Sequence, residues 1–92
     1  MNGEVYELVV ARPAARSISE VRPENVATAV IDFITGTLVQ NPRRVGRELR
    51  RELAGIFSAR RGTYRILYRI DEATRTVTVL RVDHRSNVYR TL

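Results

Sequence analysis

The chain has 92 residues, 43% of them hydrophobic, which suits one folded domain over residues 1–92 and is too little for two separate cores. Its 16 basic residues are all arginine and outnumber 10 acidic ones, so the net charge of +6 is compatible with a polyanionic partner. The lack of cysteine excludes disulfides, thiolate nucleophiles and cysteine-bound zinc, and a single histidine, His84, excludes multi-histidine metal sites.

The sequence shows no sign of membrane insertion, secretion or a bound cofactor. No apolar run approaches the length of a membrane-spanning helix, and the first residues lack the basic and long apolar segments of a secretory signal. Together with the absence of cysteine, this favours a cytoplasmic protein. No acidic cluster indicates a carboxylate-bound magnesium ion, so we expect no cofactor.

The first half of the chain predicts one strand and two helices. Glu4–Val10 is a β-prone run, and Pro13 suits the first position of a helix that extends to about Val21. A second helix starts at Glu24 and ends at Asn41-Pro42, because its apolar residues recur at a helical period. That stripe consists of Val26, Val30, Phe33, Ile34 and Leu38. Two helices joined by so short a break form a helical hairpin.

The second half predicts a short helix followed by strands. Within Arg43–Leu53 the apolar residues are four apart, which indicates a helix that Gly46 weakens. Three β-rich runs, Ile56–Ala59, Tyr64–Ile70 and Thr76–Val82, are close enough in sequence to form an antiparallel meander. The first strand should pair beside it, and residues 83–92 form at most one helical turn or a tail.

We therefore predict an α+β fold, a small antiparallel twisted sheet with an N-terminal helical hairpin packed on one face. Alternation along the second strand of the meander places Tyr64 and Tyr68 towards the core, with their hydroxyls at its rim. Arg65 and Arg69 fall on alternate positions of the same strand and project from the opposite face.

Arginines surround this part of the predicted sheet and suggest a phosphate-binding surface. Arg60 and Arg61 lie at the turn before Arg65, and Arg81 lies in the next strand with Arg85 after it. Fixed guanidiniums bind phosphate and stabilise the charge that builds on phosphorus during phosphodiester cleavage. The alternative is that these arginines only keep an exposed sheet face in water.

His84 and Tyr89 are the other candidates for chemistry. Histidine ordinarily titrates near neutrality, so His84 could accept the proton of a ribose 2′-OH or donate one to a leaving oxygen. Tyr89 could stack on an unpaired base, or instead pack its ring on the core. The sequence contains no glycine-rich phosphate loop and no set of residues for covalent serine hydrolysis.

Four segments in order resemble the RelE/ParE toxin superfamily, and the RelE branch more than the ParE branch. They are Leu49 with Leu53-Ala54-Gly55, then Ser58-Ala59-Arg60-Arg61-Gly62, then Tyr64-Arg65-Ile66-Leu67-Tyr68, and finally His84-Arg85-Ser86-Asn87-Val88-Tyr89-Arg90. The predicted order of strand, helical hairpin and meander matches the same RelE-like, microbial-RNase-like fold over the whole chain.

The resemblance implies the toxin of a type II toxin–antitoxin pair. Such a toxin enters the ribosome and cleaves mRNA without a metal, by attack of the 2′-OH on the neighbouring phosphate. An antitoxin similar to RelB would neutralise it, and the complex would bind operator DNA through the antitoxin. The family's sheet arginine matches Arg65, its C-terminal tyrosine matches Tyr89, and its basic residue upstream falls near His84 or Arg85. Arg60, Arg61, Arg69 and Arg81 would bind RNA.

One departure from the RelE pattern keeps other functions open. The best-studied form carries two lysines on the strand before the turn, and these positions fall here at about Ile56 and Ser58. Either arginines at the turn supply that charge, or cleavage is weak or absent. The alternatives are a ParE-like poison of DNA gyrase and a catalytically weak subunit that binds an antitoxin.

Overall fold

The computed structural model describes residues 5–84, which form a twisted five-stranded sheet with two helices on one face. The strand order is β1-β5-β4-β3-β2. The strands are β1 (Glu7–Val10), β2 (Arg47–Glu48), β3 (Phe57–Arg61), β4 (Tyr64–Asp71) and β5 (Thr76–His84). This confirms the predicted α+β class, the three-stranded meander and the position of the first strand beside it.

The sheet is mixed, whereas the sequence analysis predicted an antiparallel one. β3, β4 and β5 pair antiparallel through two short turns, but β1 runs parallel to β5, with Glu7 opposite Thr76 and Val10 opposite Val79. The parallel pair is possible because the helical hairpin and the meander separate the two strands in sequence and supply the long crossover that parallel pairing requires.

The helical hairpin covers one face of the sheet and encloses the main core. Helix α1 (Arg12–Ser19) has Pro13 as its second residue and packs on β5, and helix α2 (Glu24–Asp32) continues as a π-helical segment, Phe33–Leu38. The predicted stripe is largely confirmed, since Val30, Ile34 and Leu38 are buried against strand residues such as Val77 and Val79. No helix among residues 5–84 combines the length and the apolar character that crossing a bilayer would require.

The predicted helix over Arg43–Leu53 is wrong. The chain instead forms one helical turn, α3 (Pro42–Val45), then β2, then a 3₁₀ turn at Arg51–Leu53. Gly46 ends α3 in an extended conformation. Leu49 and Leu53 then pack on the sheet face opposite the helices, so their four-residue spacing reflects a folded-back loop rather than a helix.

Tyr68 is fully buried at the centre of the core. The prediction that its hydroxyl lies at the rim of the core is therefore wrong. The hydroxyl donates a hydrogen bond to the Pro42 carbonyl oxygen at 2.6 Å, and the ring stacks on Phe57. Burial raises the pKa of Tyr68 to about 12. The half-buried Tyr64 packs against the same core, as predicted.

Candidate functional site

The candidate site lies on the sheet face opposite the helices, which we call the open face. Ile66, Tyr68 and Val82 point into the main core, so the side chains that alternate with them project from the open face. Those side chains on β3, β4 and β5 include Ser58, Arg60, Arg65, Leu67, Arg69, Arg81 and Asp83. An apolar cluster of Ile56 and Leu67, packed by Leu49, Leu53 and Leu80, covers the middle of this face.

Arg60, Arg65 and Asp83 form a row across three adjacent strands. Arg60 on β3 is in register with Arg65 on β4, and Arg65 is in register with Asp83 on β5. Two guanidiniums directly opposite each other on neighbouring strands repel, which destabilises the pair unless an anion lies between them. The register therefore concentrates positive charge at one end of the open face.

Arg65 borders a cleft of about 350 Å³ that Arg47, Leu49, Ser58 and Arg60 also line. Its Nε is buried and has no hydrogen-bond partner, and the same holds for the Ser58 hydroxyl. Buried polar groups are normally satisfied, so these two mark a place where a ligand oxygen could bind. Their pairing with a phosphate would be charge-assisted and directional.

Arg81 reaches the open face through a bulge in β5. Leu67 pairs with Arg81 while the next residue, Tyr68, pairs with Val79, so Leu80 is the extra residue. Arg81 Nη2 lies 3.0 Å from Asp83 Oδ2, and both side chains are mostly buried. Arg81 also lines a cleft with Arg12 and Arg16 of α1, so this end of the sheet is strongly basic.

The structure separates two of the predicted RNA-binding residues from this group. Arg69 lies on the open face but beyond Leu67, against Gly55. Arg61 lies on the helix face, where it lines a cavity of about 560 Å³ with Phe33 and Thr37. Arg60 and Arg61 belong to β3 rather than to the turn, and because neighbours on a strand face opposite ways, only Arg60 joins Arg65.

His84 lies on the helix side of β5, away from Arg65. Its ring packs edge-on against Tyr64, with 5.6 Å between the ring centroids, and Tyr64 belongs to the main core. Arg85 and Tyr89 lie outside the described residues, so their predicted roles stay predictions.

The sequence profile of a family described as the ParE toxin of the type II toxin–antitoxin system parDE matches residues 11–89. The chain belongs to this toxin family. The toxin is 60% identical to toxin RelG of Mycobacterium tuberculosis, across 92% of this chain and 97% of RelG. It is 40% identical to toxin RelE of the same organism, across 92% of this chain and 87% of that protein.

Solved structures agree with the toxin's fold. The toxin–antitoxin complex RelBE2 of M. tuberculosis contains a chain that superposes with a TM-score of 0.84 at 49% identity, over 92% of this toxin and 97% of that chain. The archaeal RelE–RelB complex of Pyrococcus horikoshii gives a TM-score of 0.71 at 17% identity, over 91% and 99% of the two chains, which shows the fold alone. The resemblance to RelE/ParE toxins is confirmed.

Sequence reasoning missed Asp83 and Ser58 as residues of the candidate site. Strand alternation could have placed Asp83 opposite Arg65, but only with the register, which depends on the bulge at Leu80. Ser58 became visible only as a buried hydroxyl without a partner. Within residues 5–84, histidine and acidic side chains nowhere form a group of three that could hold a metal ion.

Proposed function

We propose that this toxin is an endoribonuclease that cleaves mRNA on the ribosome and thereby stops translation in the cytoplasm. The observation that carries the proposal is the Arg60–Arg65 pair beside a cleft with unsatisfied buried donors. Such a site binds a phosphodiester and stabilises the charge that grows on its oxygens during attack by the 2′-OH. The similarity to toxins named RelG and RelE supports the same class of activity.

In this proposal Arg65 contacts the scissile phosphate, and Arg60 and Arg81 bind the flanking backbone. Arg69 binds RNA farther along the open face, on the other side of the apolar cluster. The predicted catalytic roles of Arg85 and Tyr89 are part of the proposal and rest on the family resemblance alone. The charge that two lysines give to the best-studied RelE comes here from Arg60, because Ile56 is buried and Ser58 carries only a hydroxyl.

We further propose a RelB-like antitoxin as the partner that neutralises the toxin, with operator DNA bound through that antitoxin. The M. tuberculosis relative of known structure is part of a toxin–antitoxin complex. A basic face that binds RNA is also complementary to an acidic peptide, and one surface cannot hold both at once. A purified toxin–antitoxin complex should therefore leave mRNA intact in a translation extract.

The second candidate function is poisoning of DNA gyrase, which the ParE family match favours. Brief induction of the toxin separates the two, with mRNA 5′ ends mapped and gyrase-linked DNA breaks measured in the same cells. Cleavage within codons of translated messages supports the ribonuclease. Intact messages together with DNA breaks assign the toxin to the gyrase poisons.

The matched variants are Arg65→Ala on the open face and Arg61→Ala on the helix face. Loss of one preorganised donor to the transition state costs on the order of 100–1,000-fold in rate, so Arg65→Ala should nearly abolish cleavage on programmed ribosomes. Arg61→Ala removes the same charge and should cleave as the wild type does. Equal losses in both variants, each checked for folding by thermal unfolding, would contradict a specific role for Arg65.

A further inference from the structure

We propose that Asp83 is the general base that takes the proton from the attacking 2′-OH, an inference that rests on the proposed ribonuclease activity. Asp83 is in register with Arg65, on the same face of the sheet. Side chains opposite each other on paired strands have Cβ atoms about 5 Å apart, so both can reach neighbouring atoms of one nucleotide. A phosphate held by Arg65 would bring its adjacent 2′-OH within reach of the Asp83 carboxylate.

The structure separates Asp83 from His84, the base candidate of the sequence analysis. Successive residues of a strand face opposite sides of a sheet, and His84 packs on Tyr64 at the helix face. Asp83 instead lies opposite Arg65 on the neighbouring strand and forms an ion pair with Arg81. Of Asp83 and His84, only Asp83 shares a face of the sheet with Arg65, the residue proposed to bind the phosphate.

The ion pair with Arg81 leaves acceptor positions of the Asp83 carboxylate unused. Arg81 Nη2 approaches Oδ2 at 3.0 Å, but this oxygen forms no hydrogen bond of good geometry. An ionised carboxylate has about four acceptor positions, so one ion pair does not exhaust it. Arg60 stands one position farther along the row, and Arg12 and Arg16 of α1 line the cleft beside Arg81.

The Asp83 carboxylate weakens phosphate binding on this face, so a surface that only bound RNA would not be expected to carry it. It repels phosphate and cancels one of the guanidiniums gathered there. A general base explains its presence, because proton transfer needs a group that can be neutral or ionised and arginine always stays protonated.

The proposed step is an internal transesterification. The 2′-oxygen loses its proton to a carboxylate oxygen of Asp83 and bonds to phosphorus, while the bond between phosphorus and the 5′-oxygen breaks. The 5′-oxygen takes a proton from solvent water, and the products are a 2′,3′-cyclic phosphate and a 5′-hydroxyl. Asp83 then returns its proton to solvent.

The test measures single-turnover cleavage on programmed ribosomes across pH for the wild type, Asp83→Asn, Arg81→Gln and His84→Gln. Loss of a general base costs roughly 100–10,000-fold, so Asp83→Asn should lower the single-turnover rate constant by this factor without raising the concentration of toxin that gives half the maximal rate. The wild-type rate should fall in acid as the carboxylate is protonated, and this acid limb should vanish in Asp83→Asn. Asp83→Glu should restore part of the rate, and thermal unfolding checks that each variant is folded.

Other outcomes overturn the proposal. If Asp83→Asn loses no more than Arg81→Gln and keeps the acid limb, Asp83 only positions Arg81. If His84→Gln alone removes the limb, histidine is the base. If the wild type cleaves under no condition, the proposed ribonuclease activity is overturned as well. If the wild type and Asp83→Asn cleave equally well, only the role of Asp83 is overturned.

Discussion

At Gly46 the backbone passes so close to the core that an added methyl group would meet the Tyr68 hydroxyl and the Ser58 carbonyl oxygen. Gly46→Ala should therefore destabilise the toxin by about 1–3 kcal/mol, the usual cost of overpacking, in a denaturant titration. Gly36→Ala is the matched control, because nothing lies near its added Cβ and alanine favours helical backbone. In a Tyr68→Phe background part of the Gly46→Ala cost should disappear, and equal costs in both backgrounds would contradict the contact.

The buried Tyr68 also makes stability depend on pH in alkali. Its pKa is raised from 10.0 to about 12, so between these values the unfolded chain loses a proton that the folded chain keeps. Stability from this group is complete below pH 10 and declines by about 1.4 kcal/mol per pH unit between the two pKa values. Unfolding of the wild type and Tyr68→Phe at pH 9 to 11 measures this, and parallel declines would contradict it.

For the candidate site, the sequence predicted the position of single residues better than their neighbours. The prediction of Arg65 on the face opposite Tyr64 and Tyr68 agrees with the structure, because alternation along one strand is readable from sequence. The neighbours of Arg65 come from other strands, and only the register identifies them as Arg60 and Asp83. The sequence therefore predicts the face of each arginine on β4, but not which residues stand beside it.

Among the elements, those with a clear period were predicted and the segment between them was not. The helix stripe and the three β runs bury one side each, so their periodicity is visible. Residues 42–55 are shaped instead by contacts from elsewhere: Tyr68 fixes α3 through Pro42, and Ile56 and Leu67 hold Leu49 and Leu53. Backbone bonds such as Leu49 N–H to the Ile56 carbonyl oxygen complete this loop at the edge of the sheet.

At the scale of the molecule, the position of positive charge should matter more for RNA binding than the net charge of +6. For single strands, the logarithm of affinity falls with the logarithm of salt concentration by about 0.7 per neutralised phosphate. Arg60→Ala should reduce this slope by about 0.7 for a 2′-O-methylated RNA, which cannot be cleaved. Arg61→Ala has the same net charge as Arg60→Ala but changes the helix face, so it should leave the slope unchanged. Equal slopes in the two variants would mean that only the net charge matters.

The parallel pairing of β1 with β5 has a consequence for the order of folding. Glu7 meets Thr76 only after nearly the whole intervening chain has been arranged, whereas β3, β4 and β5 join through short turns. Closing so long a loop is entropically costly, so the meander can form its contacts early while β1 docks late. Substitutions in β1 should then accelerate unfolding and leave the folding rate nearly unchanged. Of the five strands of this sheet, the one that comes first in the chain would thus be the last to join it.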